Sequence, residues 1–351
     1  GKAAGPVLLS VGLGLVLAGG VVELLGVSAI EFYRTLFEGT LGSAYGASQV
    51  CFRATPLIFA GLAVALAFQA RLFNIGAEGQ MVVGGLAMAW AAAAGPALPF
   101  PLGAAMALCA GALGGAVWGG IPGLLKARTG SHEVIVTILL NFVALALANF
   151  FLTHGLALPE TVRTAEIPPG ACLPRFSDFL PALRGSPLNG GLVVAILLAV
   201  GLHLWLRNTP QGFSLRVLGE GGSQARYAGL RVGRLLVLAM ALSGAVAGLA
   251  GSSFILGYKH YFEEGFSGGA GFLGIAVALL ARNRPLAVIP SALFFGILSY
   301  GGLVVNRLVP RELLDVLQAV ILLLFIVFDR WFQVTLEPRL APEQTAAPEA
   351  A

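Results

Sequence analysis

Charge is the first scarcity in this sequence: Asp, Glu, Lys and Arg make up 11% of its 351 residues, against about 25% in an ordinary soluble domain. A chain so poor in charge cannot cover itself with a water-facing surface, which excludes a soluble globular protein of this length. Lysine is scarcer still, confined to Lys2, Lys126 and Lys259. None of them belongs to a Gly-x-x-x-x-Gly-Lys-[Ser/Thr] run, so a phosphate-cradling loop with its lysine cannot be built. The three cysteines, Cys51, Cys109 and Cys172, are widely separated. Cys109 reads as a small apolar helix residue. Cys51 and Cys172 fall in outer segments where they could pair, and unpaired thiols are the expectation. No HExxH or paired-cysteine motif occurs, so no metal site is expected.

What is abundant is apolar: hydrophobic residues make up 57% of the chain, with 48 glycines and a mean hydropathy of +0.87. Repeated apolar runs near 20 residues read as membrane-spanning helices. Ten such segments are expected, at 6–26, 54–70, 78–95, 100–125, 134–154, 189–206, 234–257, 267–281, 285–305 and 312–328. No signal-peptide cleavage pattern follows the first, so it is expected to stay as a helix. The fold class is therefore an all-α integral membrane protein of about ten transmembrane helices, surrounded by lipid. The net charge of +4 reports topology rather than a nucleic-acid partner. The stretch 207–234 carries five arginines against one acid, and Lys126 with Arg128 and Arg282 with Arg284 mark further basic connections. These belong inside, with 155–188 and 258–266 on the opposite face and both termini cytoplasmic. Residues 1–330 read as one transmembrane domain with an inner loop at 207–234. Residues 331–351, ending in APEQTAAPEAA, read as a disordered cytoplasmic tail. An even split gives two five-helix halves inverted relative to each other, an arrangement common in transporters.

Several polar residues interrupt the apolar pattern. RLFNIGAEGQ (71–80) sits between two long apolar stretches, and KHYFEEGFSGGA (259–270) follows the seventh segment. Both put Glu-Gly before a Gly-rich helix. A carboxylate at the bilayer centre costs roughly 2.5–3.5 kcal/mol, so Glu78 at depth would face a cavity or a partner. Two readings of 71–80 stand side by side. In one it is a short cytoplasmic turn, with Glu78 as an N-terminal acid favoured by the helix dipole. In the other it is a broken helix whose polar groups, from Asn74, Glu78 and Gln80, line a solute path. Asn141 sits mid-helix, suited to an interhelical hydrogen bond or to a polar solute. Glu133, near the inner surface, reads as a capping or paired acid. Gly111, Gly115, Gly119 and Gly123, at four-residue spacing, form a flat groove for close helix packing, within the chain or at a subunit interface. RVLGEGGSQARYAGLRV (216–232) has the composition of a short surface helix after the glycines, on lipid or against a cytoplasmic partner.

LFNIGAEGQ, SHEVIVTILLNF and LGEGGSQARYAGL, in that order and spacing, resemble the transmembrane permeases of bacterial ABC importers. The similarity covers roughly residues 50–330 and is strongest to the nucleoside and simple-sugar branch, related to ribose and branched-chain amino acid permeases. The family's inner-loop pattern, Gly-x-Asn-x-x-Ala-Ala-x-Tyr-Ala-Gly, appears here as Gly219, Gly221 for Asn, Gln224-Ala225 for the Ala pair, and Tyr227-Ala228-Gly229. The resemblance implies a transport subunit of the bacterial inner membrane with no catalytic residues and no cofactor of its own. Mg-ATP would be hydrolysed by a partner cytoplasmic ABC ATPase. A second permease subunit, paralogous or identical, and an extracytoplasmic solute-binding protein would complete the assembly. It implies an ATPase-coupling element at Gly219, Arg226, Tyr227, Ala228 and Gly229, and makes Phe73, Asn74, Glu78, Gln80 and Asn141 the candidates for the substrate pathway. Nucleosides are the expected solute, with simple sugars or branched-chain amino acids as alternatives.

Two rivals belong to other classes. Gly265-Phe266-Ser267-Gly268-Gly269 matches the nucleophile pattern G-x-S-x-G, which an intramembrane serine protease would need together with a base. An ion-coupled secondary transporter would need several intramembrane acids, and few are available.

Overall fold

The computed structural model describes residues 4–336, and among these the chain is helical, with three isolated β-bridges and no strand. In chain order the helices are α1 (Ala4–Leu24), α2 (Ala29–Thr40), α3 (Ala44–Gln69), α4 (Ala77–Ala94), α5 (Leu102–Thr129), α6 (Glu133–Phe151), α7 (Gly191–Asn208), α8 (Pro210–Glu220), α9 (Gly222–Tyr227), α10 (Val232–Gly248), α11 (Ala270–Leu280), α12 (Pro285–Val305) and α13 (Glu312–Leu336). Each expected apolar segment holds a helix. Among the described residues seven helices are long and apolar enough to cross a membrane: α1, α3, α5, α6, α7, α10 with its continuation to Lys259, and α12. Length and composition thus support seven of the ten expected spans. The 11-residue α11 is a short apolar helix, about 17 Å long and so unable to span a hydrocarbon core of about 30 Å by itself.

Several boundaries differ from the expectation, for physical reasons. The third helix starts at Ala44, not near 54, because Ser43 caps it by accepting from the Gly46 amide at 2.9 Å. Its first ten residues include Gln49 and Arg53, and an apolar window therefore passes over them. The surface helix expected after the inner glycines is α9, but the eleven residues of α8 before it were unforeseen. Thr209 caps α8, accepting from the Gly212 amide at 3.1 Å, and Pro210 opens it, a position where its missing N–H costs nothing. Helix α13 continues through residues 331–336, and the remainder of the expected tail lies outside the described residues. All three cysteines are free.

The chain divides into two compact units. The described residues up to 37 and from 301 onward form one, in which α1 packs on α13. Residues 38–300 form the other, built around α3, the span with the largest buried share, 78%. In this larger unit α4, α5 and α10 meet backbone to backbone. The stripe Gly111, Gly115, Gly119 and Gly123 of α5 lies against Met240, Gly244 and Gly248 of α10 within the same chain, and Gly84 of α4 fits against Gly248. A Cβ on Gly115 would lie 2.1 Å from the Gly244 carbonyl oxygen, and one on Gly244 equally close to that of Gly115. Lipid supplies no hydrophobic drive for helix association, so close packing of this kind carries it. The excursion 157–190 is fastened by backbone bonds from Thr164 to Phe262, Ile167 to His260 and Leu173 to Leu256.

Substituting Val for Gly115 should therefore separate α5 from α10, at a cost of about 1–3 kcal/mol or more. Thermal unfolding in detergent should show a clear loss of stability. Ala at Gly120, whose nearest neighbour is 3.8 Å away, should leave the transition unchanged.

Candidate functional site

Between α3 and α4 the chain turns inside the protein. Arg71 takes a left-handed φ of 53°, and the following residues run to Gly76 without helical bonding, which would strand their polar groups if nothing paired them. Buried side chains do so. Asn74, fully buried, donates to Gln80 Oε1 at 2.8 Å and to Ser243 Oγ at 2.7 Å. Its Oδ1 accepts from the Gly76 amide at 3.0 Å and from Gln80 Nε2 at 3.1 Å. Ser243 in turn donates to the Ala63 carbonyl of α3 at 2.6 Å. Asn141 of α6 accepts from the Gly79 amide at 2.8 Å and donates to the Ile75 carbonyl at 2.9 Å. Gly79 has to be glycine here, since a Cβ would approach Asn141 Oδ1 to 2.9 Å. Phe73 is half-buried, edge-on to Phe68 at 5.0 Å. Glu133 pairs with Lys126.

Glu78, 5% exposed, begins α4 and reaches across to the start of α11. Its Oε1 accepts from Ser267 Oγ at 2.5 Å and from the Gly269 amide at 3.3 Å, and its Oε2 from the Gly271 amide at 2.8 Å. Gly268 and Gly269, with φ of 55° and 80°, bend the chain into α11 there. The carboxylate thus lies in the first turn of α4 and caps the N-terminus of α11, where orphan amides and the helix dipole favour negative charge. The 71–80 segment is a buried irregular turn with Glu78 as an N-terminal acid, and Asn74, Glu78 and Gln80 spend their hydrogen bonds on protein atoms. Ser267 donates to this carboxylate, while His260 is engaged with Arg175 at 3.0 Å. Ser267 is thus bonded to an acid and not to a histidine, and the protease pattern is a helix-capping turn.

Beside this junction lies a cavity of about 430 Å³. Tyr45, Gln49, Phe52, Arg53 and Pro56 of α3 form one wall, and Phe254 and Tyr258, from the wide turns Ser252–Lys259 after α10, form another. The turn Phe266–Ala270 closes it next to Glu78. Phe52 and Tyr258 meet edge-on at 5.3 Å, Phe254 lies 6.0 Å from Tyr258, and Phe266 lies 5.9 Å from Phe254. Phe73, Asn74, Glu78, Gln80 and Asn141 are not among the lining residues; the last four form the bonded frame behind it. Sequence reading missed the aromatic walls and Arg53. Arg53 did carry a signal, an arginine abutting an apolar run, since such a charge costs about 2.5–3.5 kcal/mol at a helix centre unless it faces a cavity or partner.

Gly219 packs at the far end of α3, where a Cβ would lie 2.1 Å from the Gln69 carbonyl oxygen. Arg226, Tyr227, Ala228 and Gly229 are exposed, Tyr227 at 94%. Gly229 turns the chain out of α9 with a φ of 73°.

Glu78→Gln would set an amide among donors and should cost about 1–3 kcal/mol. Ser267→Ala leaves both backbone bonds to the carboxylate and should cost about 1 kcal/mol. Thermal unfolding of the two variants should show Glu78→Gln as the larger loss.

Residues 46–326 match the family described as "Branched-chain amino acid transport system / permease component". The guanosine ABC transporter permease protein NupP of Bacillus subtilis is 38% identical over 323 residues, covering 90% of this chain and 91% of its own. The glucose ABC transporter permease protein TsgB13 of Haloferax volcanii is 34% identical, with 94% and 88% covered. The nucleoside ABC transporter permease protein NupB of Lactococcus lactis is 32% identical, with 90% and 88% covered. On a match spanning most of its length, and with a helical membrane architecture to fit it, the chain belongs to this permease family, the membrane-spanning subunits of ABC importers.

Proposed function

We propose that this subunit passes nucleosides across the inner membrane of a bacterium, received from an extracytoplasmic binding protein and driven by a partner ATPase that hydrolyses Mg-ATP. The carrying observation is the cavity, which lies within the roughly 300–1,000 Å³ range of small-molecule sites. Its ring faces suit a flat base, and Ser253, Ser299 and Gln49 suit ribose hydroxyls. Two of the relatives above carry nucleoside or guanosine in their names. A simple sugar is the second reading, supported by the glucose relative and by the same hydroxyl-bearing walls.

On this proposal the helices form two inverted halves of five membrane-embedded helices, with α4 and α11 in equivalent places and both termini cytoplasmic. A second permease subunit completes the pathway. Asn74, Gln80 and Asn141 hold the break in one shape, and Glu78 ties it to α11, so that the pathway opens beside them. Helices α8 and α9 receive the ATPase, with Arg226 and Tyr227 docking against it. Motion there reaches the cavity through the Gly219–Gln69 contact, because α3 runs from that contact to the cavity wall.

The test is uptake into proteoliposomes holding this chain, its ATPase and the second permease, with binding protein outside and ATP inside. ATP-dependent uptake of labelled nucleosides that requires this chain supports the proposal. Uptake of glucose alone moves the assignment to sugars, and uptake without the ATPase overturns the coupling. In the same system Gly219→Leu should cut uptake by about ten-fold or more while ATP hydrolysis continues, since the side chain forces α8 off α3.

A further inference from the structure

Arg53 sits about 14 Å along the axis of α3 from its first residue, inside the helix and on the cavity wall. Its recorded partners are few and weak. One guanidinium nitrogen reaches Ser299 Oγ at 3.5 Å, and the group lies 6.0 Å from the centre of the Tyr300 ring. Its Nε is buried with no hydrogen-bond partner among the described residues. That nitrogen is closed off from the cavity, which only the other guanidinium nitrogens can face. Arginine has five donors and no acceptor, so a solute that meets those nitrogens must present acceptors. The neighbouring wall, Phe52, Phe254, Tyr258 and Phe266, presents aromatic faces and edges, which suit a planar ring.

We propose that Arg53 is a specificity-determining residue that selects 6-oxopurine nucleosides, its guanidinium donating to the O6 and N7 acceptors of a base held between the aromatic walls. Guanine and hypoxanthine offer two adjacent acceptors at O6 and N7. Adenine pairs an acceptor at N7 with a donor at N6, and that donor opposes the guanidinium. The inference rests on the nucleoside reading above and adds the class of base. Glutamine, with one acceptor and one donor, matches the adenine edge instead. The substitution Arg53→Gln therefore predicts a reversal of preference, where a merely structural arginine predicts a uniform loss.

The experiment uses the complete reconstituted importer and measures initial uptake rates of labelled guanosine, inosine and adenosine. The readout is each variant's oxopurine-to-adenosine ratio divided by that of the native transporter, which cancels the selectivity of the binding protein. Arg53→Gln should lower that ratio by roughly ten-fold or more. Arg53→Lys, which keeps donors but loses the planar fork, should lower oxopurine uptake without favouring adenosine. Equal loss of all three nucleosides in Arg53→Gln overturns the proposal while leaving nucleoside transport standing. So does uptake of guanosine 5′-monophosphate in preference to guanosine, which would make Arg53 an anion site. Transport of glucose and of no nucleoside by the native assembly would instead remove the reading on which the proposal rests.

Discussion

A buried carboxylate at the junction of two helix N-termini is the constraint around which the larger unit is arranged. Glu78 belongs to the first turn of α4 and accepts from the turn that opens α11, so neither helix can be placed without the other. Helix N-termini leave amides unsatisfied, and in an apolar medium these would be expensive. One acid of α4 that gathers two backbone amides and a hydroxyl at the start of α11 allows that helix to begin inside the protein. The short length of α11 and the irregular chain before α4 are then tolerable. Asn74, Gln80, Ser243 and Asn141 finish the task on the α4 side by pairing the turn to α3, α6 and α10.

Two kinds of packing adjoin this junction and differ in stiffness. On one side α4, α5 and α10 touch through their backbones, with glycine carbonyls and Cα atoms as the contact surface. Apart from Met88, which packs against Gly111, such contacts leave few side-chain atoms to absorb a shift, and the three helices form a closely fitted block. On the other side α10 passes into wide turns at Ser252–Lys259, which face the α3 wall across the cavity. Wide helical turns of this type accompany functional sites more often than chance. The cavity thus lies between a rigid block and less regular chain. Helix α8 touches both the end of α3 and α10 of the block, and α9 touches α10. A push on α8 therefore bears on the cavity wall of α3 and on the block together.

Much of this was legible in the sequence. The four-residue spacing of Gly111, Gly115, Gly119 and Gly123 announced close helix packing, and the Asn, Glu and Gln of 71–80 announced an irregular, polar break. The partners of these residues were not legible. Spacing could not tell that the glycine stripe faces α10 of the same chain, because a flat face is defined by its own helix and its occupant by the fold. Arg53 was passed over for a related reason. A hydropathy window begins a span where polar residues stop, yet α3 continues ten residues further because those polar residues face a cavity and not lipid. The aromatic walls also escaped notice, as Phe52, Phe254, Tyr258 and Phe266 have no periodic relation to one another.

By itself the sequence determined the medium, the helical class and the places of the ten apolar helices, though not of α2 or α8, since these follow from the polarity of neighbouring residues and from the need to satisfy backbone groups within each segment. It also carried the resemblance to the permease family, which residues 46–326 match. Only the tertiary structure decided which polar groups brace the break and which face open space. That distinction depends on atoms brought together from 66, 169 and 193 positions apart, as in Asn141 with Ile75, Asn74 with Ser243, and Glu78 with Gly271. A buried polar side chain has the same appearance in a sequence whether a protein atom or a solute satisfies it. Distance in space, which no local pattern encodes, separates the two.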